Sequence, residues 1–77
     1  MNLYAITNNP TTGIGLELAD VKTQLACTQG EFRKALAHIP QGVSIVITEN
    51  LAAEFPDLLN EYRAKNPKIL VTIIPDL

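Results

Sequence analysis

Hydrophobic and polar positions along this chain switch repeatedly between two spacings. "NLYAIT", Asn2 to Thr7, is a short, mostly apolar run closed by Asn8, Asn9 and Pro10, and it reads as a buried strand entering a loop. In the "TTGIGLELADV" that follows, Ile14, Leu18 and Val21 recur at helical spacing. Gly13 and Gly15 weaken that helix, so only a turn or two is expected. Thr23 to Cys27 is half polar and reads as an edge strand. Thr28-Gln29-Gly30-Glu31 then has the form of a capping box. The Thr28 hydroxyl would accept from the Glu31 amide and the Glu31 carboxylate would reach back. Phe32, Ala35, Leu36 and Ile39 follow on one helical face, and Pro40-Gln41-Gly42 stops the helix.

"VSIVIT", Val43 to Thr48, is almost continuously apolar, which predicts burial on both faces of a parallel sheet. Leu51, Phe55, Leu58, Leu59 and Tyr62 then mark one helical face through about Arg63. Pro56 lies inside that span. It lacks an amide proton and clashes with the preceding turn, so the helix either kinks or breaks, with Pro56 opening a second segment. Asn66-Pro67 ends it, and Lys68 to Ile74 is a last strand closed by Pro75.

Strands alternating with helices predict an α/β fold with parallel strands and right-handed crossovers. The expected architecture is a small doubly wound four-stranded parallel sheet of the flavodoxin or receiver kind, order 2-1-3-4, with helices on both faces. The last strand is then an edge, yet it is among the most apolar segments. Unpaired backbone groups invite pairing, so such an edge calls for a cover.

Size narrows the picture. The chain has 77 residues, enough for a single domain, 1–77. Hydrophobic residues make up 47% and charged residues 18%, a globular rather than a disordered balance. With no Trp and few other aromatics, the core must be aliphatic. The formal net charge is -2 and only Arg33-Lys34 among the basic residues are adjacent, so no stripe exists to track nucleic-acid phosphates. One cysteine, Cys27, excludes an internal disulfide or a multi-cysteine zinc site and fits the cytosol. The N-terminus has no signal-peptide pattern, and no apolar run approaches the ~20 residues that span a bilayer.

Candidate chemistry is sparse. Gly13-Ile14-Gly15 begins like a dinucleotide fingerprint, but Leu18 falls where its third glycine belongs. A receiver domain needs an acidic cluster after the first strand and an aspartate ending the third; here stand Thr7-Asn8-Asn9 and Thr48-Glu49. Cys27 precedes a helix cap that would favour a thiolate, but the one histidine, His38, belongs at the far end of that helix. A half-buried, inert thiol is expected, with His38 complementing the helix dipole. Glu17, Glu54 and Glu61 fall on solvated helix positions. Thr48 suits an N-cap, with Glu49 in the first helical turn. No catalytic residue, cofactor site or metal site is expected, which leaves a binding module. By the crevice rule for open α/β sheets, Asn8, Asn9, Thr48, Glu49 and Pro75 would line a small-ligand or protein site at the strand ends.

"VSIVITENLAAEFPDLLNEYRAKNPKILVTIIPD" resembles the second half of the F subunit of the V-type (A/V-type) rotary ATPases. That family carries an apolar third strand ending in an I-T-E-like motif, an alanine-containing helix, and an apolar strand closing on I-P. Ile47-Thr48-Glu49, Ala52 and Ile74-Pro75 fall in that order. The family's G-F-x-L-A-G-V-like segment is matched loosely by Gly15 to Val21, and Thr28 to Glu31 matches its usual helix cap. The chain departs from the family at Thr7-Asn8, where Gly-Asp is usual, and at Asp20, where glycine is common. Members run on into a C-terminal helix, so the resemblance implies a chain that lacks it. It further implies a non-catalytic subunit of the central rotor stalk. Its partners would be the ATPase's coiled-coil D subunit and the A/B catalytic ring, and it would couple ATP hydrolysis or synthesis to proton or sodium transport. Such a protein is cytoplasmic and meets the membrane only through the complex. Asn8, Thr48, Glu49, Leu51, Phe55, Ile73 and Pro75 are the expected interface residues.

Overall fold

The computed structural model describes residues 3–76. Along the chain run β1 (Leu3–Thr7), α1 (Pro10–Leu18), β2 (Lys22–Leu25), α2 (Gln29–Ala37), β3 (Ser44–Thr48), α3 (Glu49–Glu54), α4 (Pro56–Lys65) and β4 (Val71–Ile74). The strands form one sheet in the order β2-β1-β3-β4, every neighbouring pair parallel. This is the small doubly wound topology that the alternation of periods predicts.

Register explains where the core sits. Tyr4 lies opposite Ile45 and Ile45 opposite Val71; Ile6 lies opposite Ile47 and Ile47 opposite Ile73. Side chains alternate across a sheet, so these residues share one face. On that face α2, α3 and α4 contribute Phe32, Ala35, Leu36, Leu51, Leu58 and Leu59 to a cluster with Ile6, Ile45 and Ile47. Phe55 packs on its margin, its ring centroid 6.1 Å from that of Phe32 at a tilt of 46°.

The other face carries α1 alone among the described helices. Here the sequence expectation is overturned. α1 is a full nine residues, and it turns Thr12 and Gly13 inward while Ile14 is 61% and Leu18 84% exposed. The cause is contact distance. A Cβ on Gly13 would stand 3.5 Å from the Thr7 methyl and 3.8 Å from the Thr23 methyl, so the helix lies close to the sheet along its small residues. Asn9 supplies the cap that offsets the two glycines, and Pro10 opens the helix. α1 ends in a Schellman arrangement: Asp20 N–H donates to Glu17 C=O at 3.0 Å and Val21 N–H to Leu16 C=O at 3.0 Å. Asp20 takes the positive φ of 64° that such an ending requires.

Because α1 covers β2 and β1, the β3–β4 half of this face is open. Val46 is therefore only half-buried, and β3 is fully enclosed on one face rather than on both. The helix containing Pro56 breaks in two, with Pro56 opening α4. No helix among the described residues is long and apolar enough to cross a membrane.

Candidate functional site

Parallel strands bring the ends of β1, β3 and β4 to one rim, carrying Asn8 and Asn9, then Glu49, then Pro75 and Asp76. At its centre are two buried threonines. The Thr48 hydroxyl donates to the Thr7 hydroxyl at 2.8 Å, and Thr7 Oγ1 also accepts from Asn9 N–H at 3.1 Å. Asn9 Oδ1 accepts from the amides of Thr11 and Thr12 at 3.0 and 3.4 Å. The first-turn amides of α1 are thus engaged by Asn9 rather than presented to a ligand.

The second helix start departs from expectation. Thr48 stands at the N-cap position of α3, but its side chain makes no capping bond. Its hydroxyl is turned to Thr7 instead. Asp76, beyond the end of β4, supplies the cap: its Oδ2 accepts from Asn50 N–H at 2.8 Å. Asp76 Oδ1 is buried without a hydrogen-bond partner among the described residues. Sequence reasoning misses Asp76, because nothing local joins an acid after the last strand to a helix 26 positions earlier.

The other expected interface residues separate. Glu49 and Pro75 are exposed and Asn8 is half-buried. Leu51 is fully buried beneath α3 and offers a partner no surface. Phe55 is half-buried against Phe32. Ile73 is 37% exposed, on the sheet edge rather than the rim.

Cys27, expected to be half-buried, is exposed, because β2 ends at Leu25 and leaves Cys27 in the turn before α2. Its Sγ lies 3.9 Å from the Asn8 carbonyl oxygen, and its amide donates to Glu31 Oε1 at 2.9 Å. The capping box itself forms as the spacing predicts, with Glu31 N–H to Thr28 Oγ1 at 3.1 Å and Thr28 N–H to Glu31 Oε1 at 3.2 Å. His38 stands at the C-cap of α2, with Nδ1 2.7 Å from Lys34 O. Among the described residues, no three His, Cys, Asp or Glu side chains gather as a metal site would require.

The edge of β4 is the second feature. Ile45 N–H donates to Leu70 C=O at 2.9 Å, which sets the phase of the ladder. In a parallel pair the residues of one strand turn their amide groups alternately toward and away from the neighbour. Leu70, Thr72 and Ile74 therefore face β3, and Val71 and Ile73 point outward. The Val71 carbonyl agrees with that phase, since Arg63 Nη2 reaches around from α4 to donate to it at 3.5 Å. β4 holds only Val, Thr and Ile, and Leu70 beside it is 63% exposed. The opposite edge, β2, presents exposed Lys22 and Gln24.

Compared with protein-family models, curated proteins and solved structures, the chain matches none of them. The reading of its function therefore rests on the rim, the edge and the sequence pattern.

Proposed function

We propose that this chain is a non-catalytic component of the central rotor stalk of a V-type rotary ATPase. It would bind the coiled-coil D subunit beneath the A/B ring and help couple ATP hydrolysis or synthesis to proton or sodium transport, on the cytoplasmic side of the membrane. The observation that carries the reading is the pairing of a parallel sheet with an apolar edge strand that carries no charged residue. β4 lies beside a rim of exposed Glu49 and Pro75, and the β3–β4 half of one sheet face has no described helix over it. A torque-bearing protein needs a stiff body and a surface that is complete only in a complex, and function follows from that surface rather than from the fold. The order of Ile47-Thr48-Glu49, Ala52 and Ile74-Pro75 supports the same family.

Co-expression with the coiled-coil stalk protein of the same organism tests it. A one-to-one complex that co-elutes on size exclusion and hydrolyses no ATP by itself is expected. Glu49→Ala should weaken that complex and leave the melting temperature of the free chain nearly unchanged. Failure to recover any complex with the coiled-coil protein overturns the reading.

A further inference from the structure

We infer that β4 is also a self-association edge, through which two copies of this chain pair antiparallel about a two-fold axis at Thr72. The inference is independent of the rotor reading; a stalk partner covering β4 would displace the second copy.

The backbone phase selects the register. Val71 and Ile73 point outward, one on each side of Thr72. A two-fold axis through Thr72 sets Val71 of one copy opposite Ile73 of the other, twice. Both become hydrogen-bonded pairs of an antiparallel ladder, each exchanging two N–H···O bonds. The same register keeps side chains on matching faces. Val71 and Ile73 meet their counterparts on the helix-covered face, and Leu70 meets Ile74 on the open one, which covers two of the exposed apolar side chains, Leu70 and Ile73.

Charge selects the direction. Lys68 and Asp76 stand equally far before and after Thr72. Antiparallel pairing brings each Lys68 to the end of the strand where the other copy's Asp76, its carboxylate turned inward to cap α3, carries a negative charge, whereas parallel pairing would set like charges side by side. Apart from its shortness, the strand carries none of the sequence devices that keep edges apart, since no Lys, Glu, Pro or Gly lies between Val71 and Ile74. Arg63 is the one guard, and its hold on the Val71 carbonyl is long at 3.5 Å. A self-complementary patch of this kind closes a pair and leaves no further edge of the same kind exposed. One short strand buries less than the ~1,200 Å² of a stable complex, so the association is weak and grows with concentration.

Cross-linking of the full chain in a Cys27→Ser background provides the test. Thr72 opposes its own copy at a non-hydrogen-bonded position, where Cα atoms stand ~4.5 Å apart, within reach of a disulfide. Thr72→Cys should form a covalent dimer rapidly under mild oxidation. Ile74→Cys opposes Leu70, not itself, and should stay largely monomeric. Sedimentation equilibrium of the unmodified chain should show a dimer that increases with concentration. N-methylation of the Ile73 amide in a synthetic chain, which removes one outward donor and no side chain, should abolish it, with circular dichroism confirming the fold. Arg63→Ala should leave the dimer at least as tight. A chain that remains monomeric to its solubility limit, equal cross-linking at the two cysteines, or growth into open filaments would each overturn the inference.

Discussion

Asp76 closes the start of α3 from the end of the neighbouring strand β4, and Thr48 is left to bond Thr7. The two residues therefore stabilise the fold by different routes. Asp76→Ala uncaps a helix and should cost about 1 kcal/mol, as cap losses typically do. Thr48→Val keeps the shape of the side chain and loses one buried hydrogen bond, also worth about 1 kcal/mol. Chemical denaturation gives both totals. Amide exchange separates them, because only Asp76→Ala should speed exchange at Asn50. A second residue-scale prediction concerns pH. Burial pushes the Tyr62 hydroxyl above its ordinary pKa. The unfolded chain then loses this proton first as pH rises, so the contribution is complete below the ordinary tyrosine pKa of about 10 and is lost as pH climbs through the folded value. Tyr62→Phe should flatten that alkaline decline in melting temperature. Glu61 behaves oppositely: the hydrogen bond from Lys65 at 3.0 Å, reinforced by its charge, holds the carboxyl below its usual value. Its stabilisation is present above the ordinary glutamate pKa and fades as pH falls through the folded one, and as a surface ion pair it is weak.

Among the elements, α1 best shows how packing overrides pattern. Its apolar residues promise a buried stripe of Ile14 and Leu18. The helix instead lies on the sheet through Thr12 and Gly13, because small groups let its axis approach the threonines of β1 and β2. The space above Gly13 is ordinary van der Waals distance, with 3.5 Å to the nearest side-chain atom. Gly13→Ala should accordingly raise stability by about 0.5–1 kcal/mol, the usual helix preference for alanine, as measured by urea unfolding. Closer contact than this would reverse the sign. α2 needs no such correction. Its capping box and the Phe32, Ala35 and Leu36 face are written locally, and the structure uses them as written.

For the whole molecule, the consequential fact is an uneven sheet. One face has three helices over it, the other has α1 over its β2–β1 half, and β4 ends the order with no charge of its own. Amide hydrogen exchange on dilute protein should read the ladder phase directly. Thr72 and Ile74 face β3 and should be protected, while Val71 and Ile73 should exchange fast, an alternation along four consecutive residues. Binding of a stalk partner over this edge would slow the outward pair. The candidate site is only partly legible in the sequence. Glu49, Pro75 and Asn8 reach the rim as their strand-end positions predict, and Ile73 is exposed at the edge. Leu51 does not serve, because the same helical spacing that singles it out places it in the core. Asp76 is invisible there because its role depends on two strands ending side by side.

Local physics settles one layer of this protein. The alternation of periods specifies the elements, the Pro56 break separates α3 from α4, and Thr28 to Glu31 specifies the start of α2. Each of those depends on neighbours in the chain, through backbone geometry or side-chain spacing. The tertiary structure decided which face α1 buries, which hydroxyl bonds Thr48, which carboxylate caps α3 and which amides of β4 turn outward. These follow from groups distant in sequence competing for the same space and the same donors, and only the sheet register brings the competitors together.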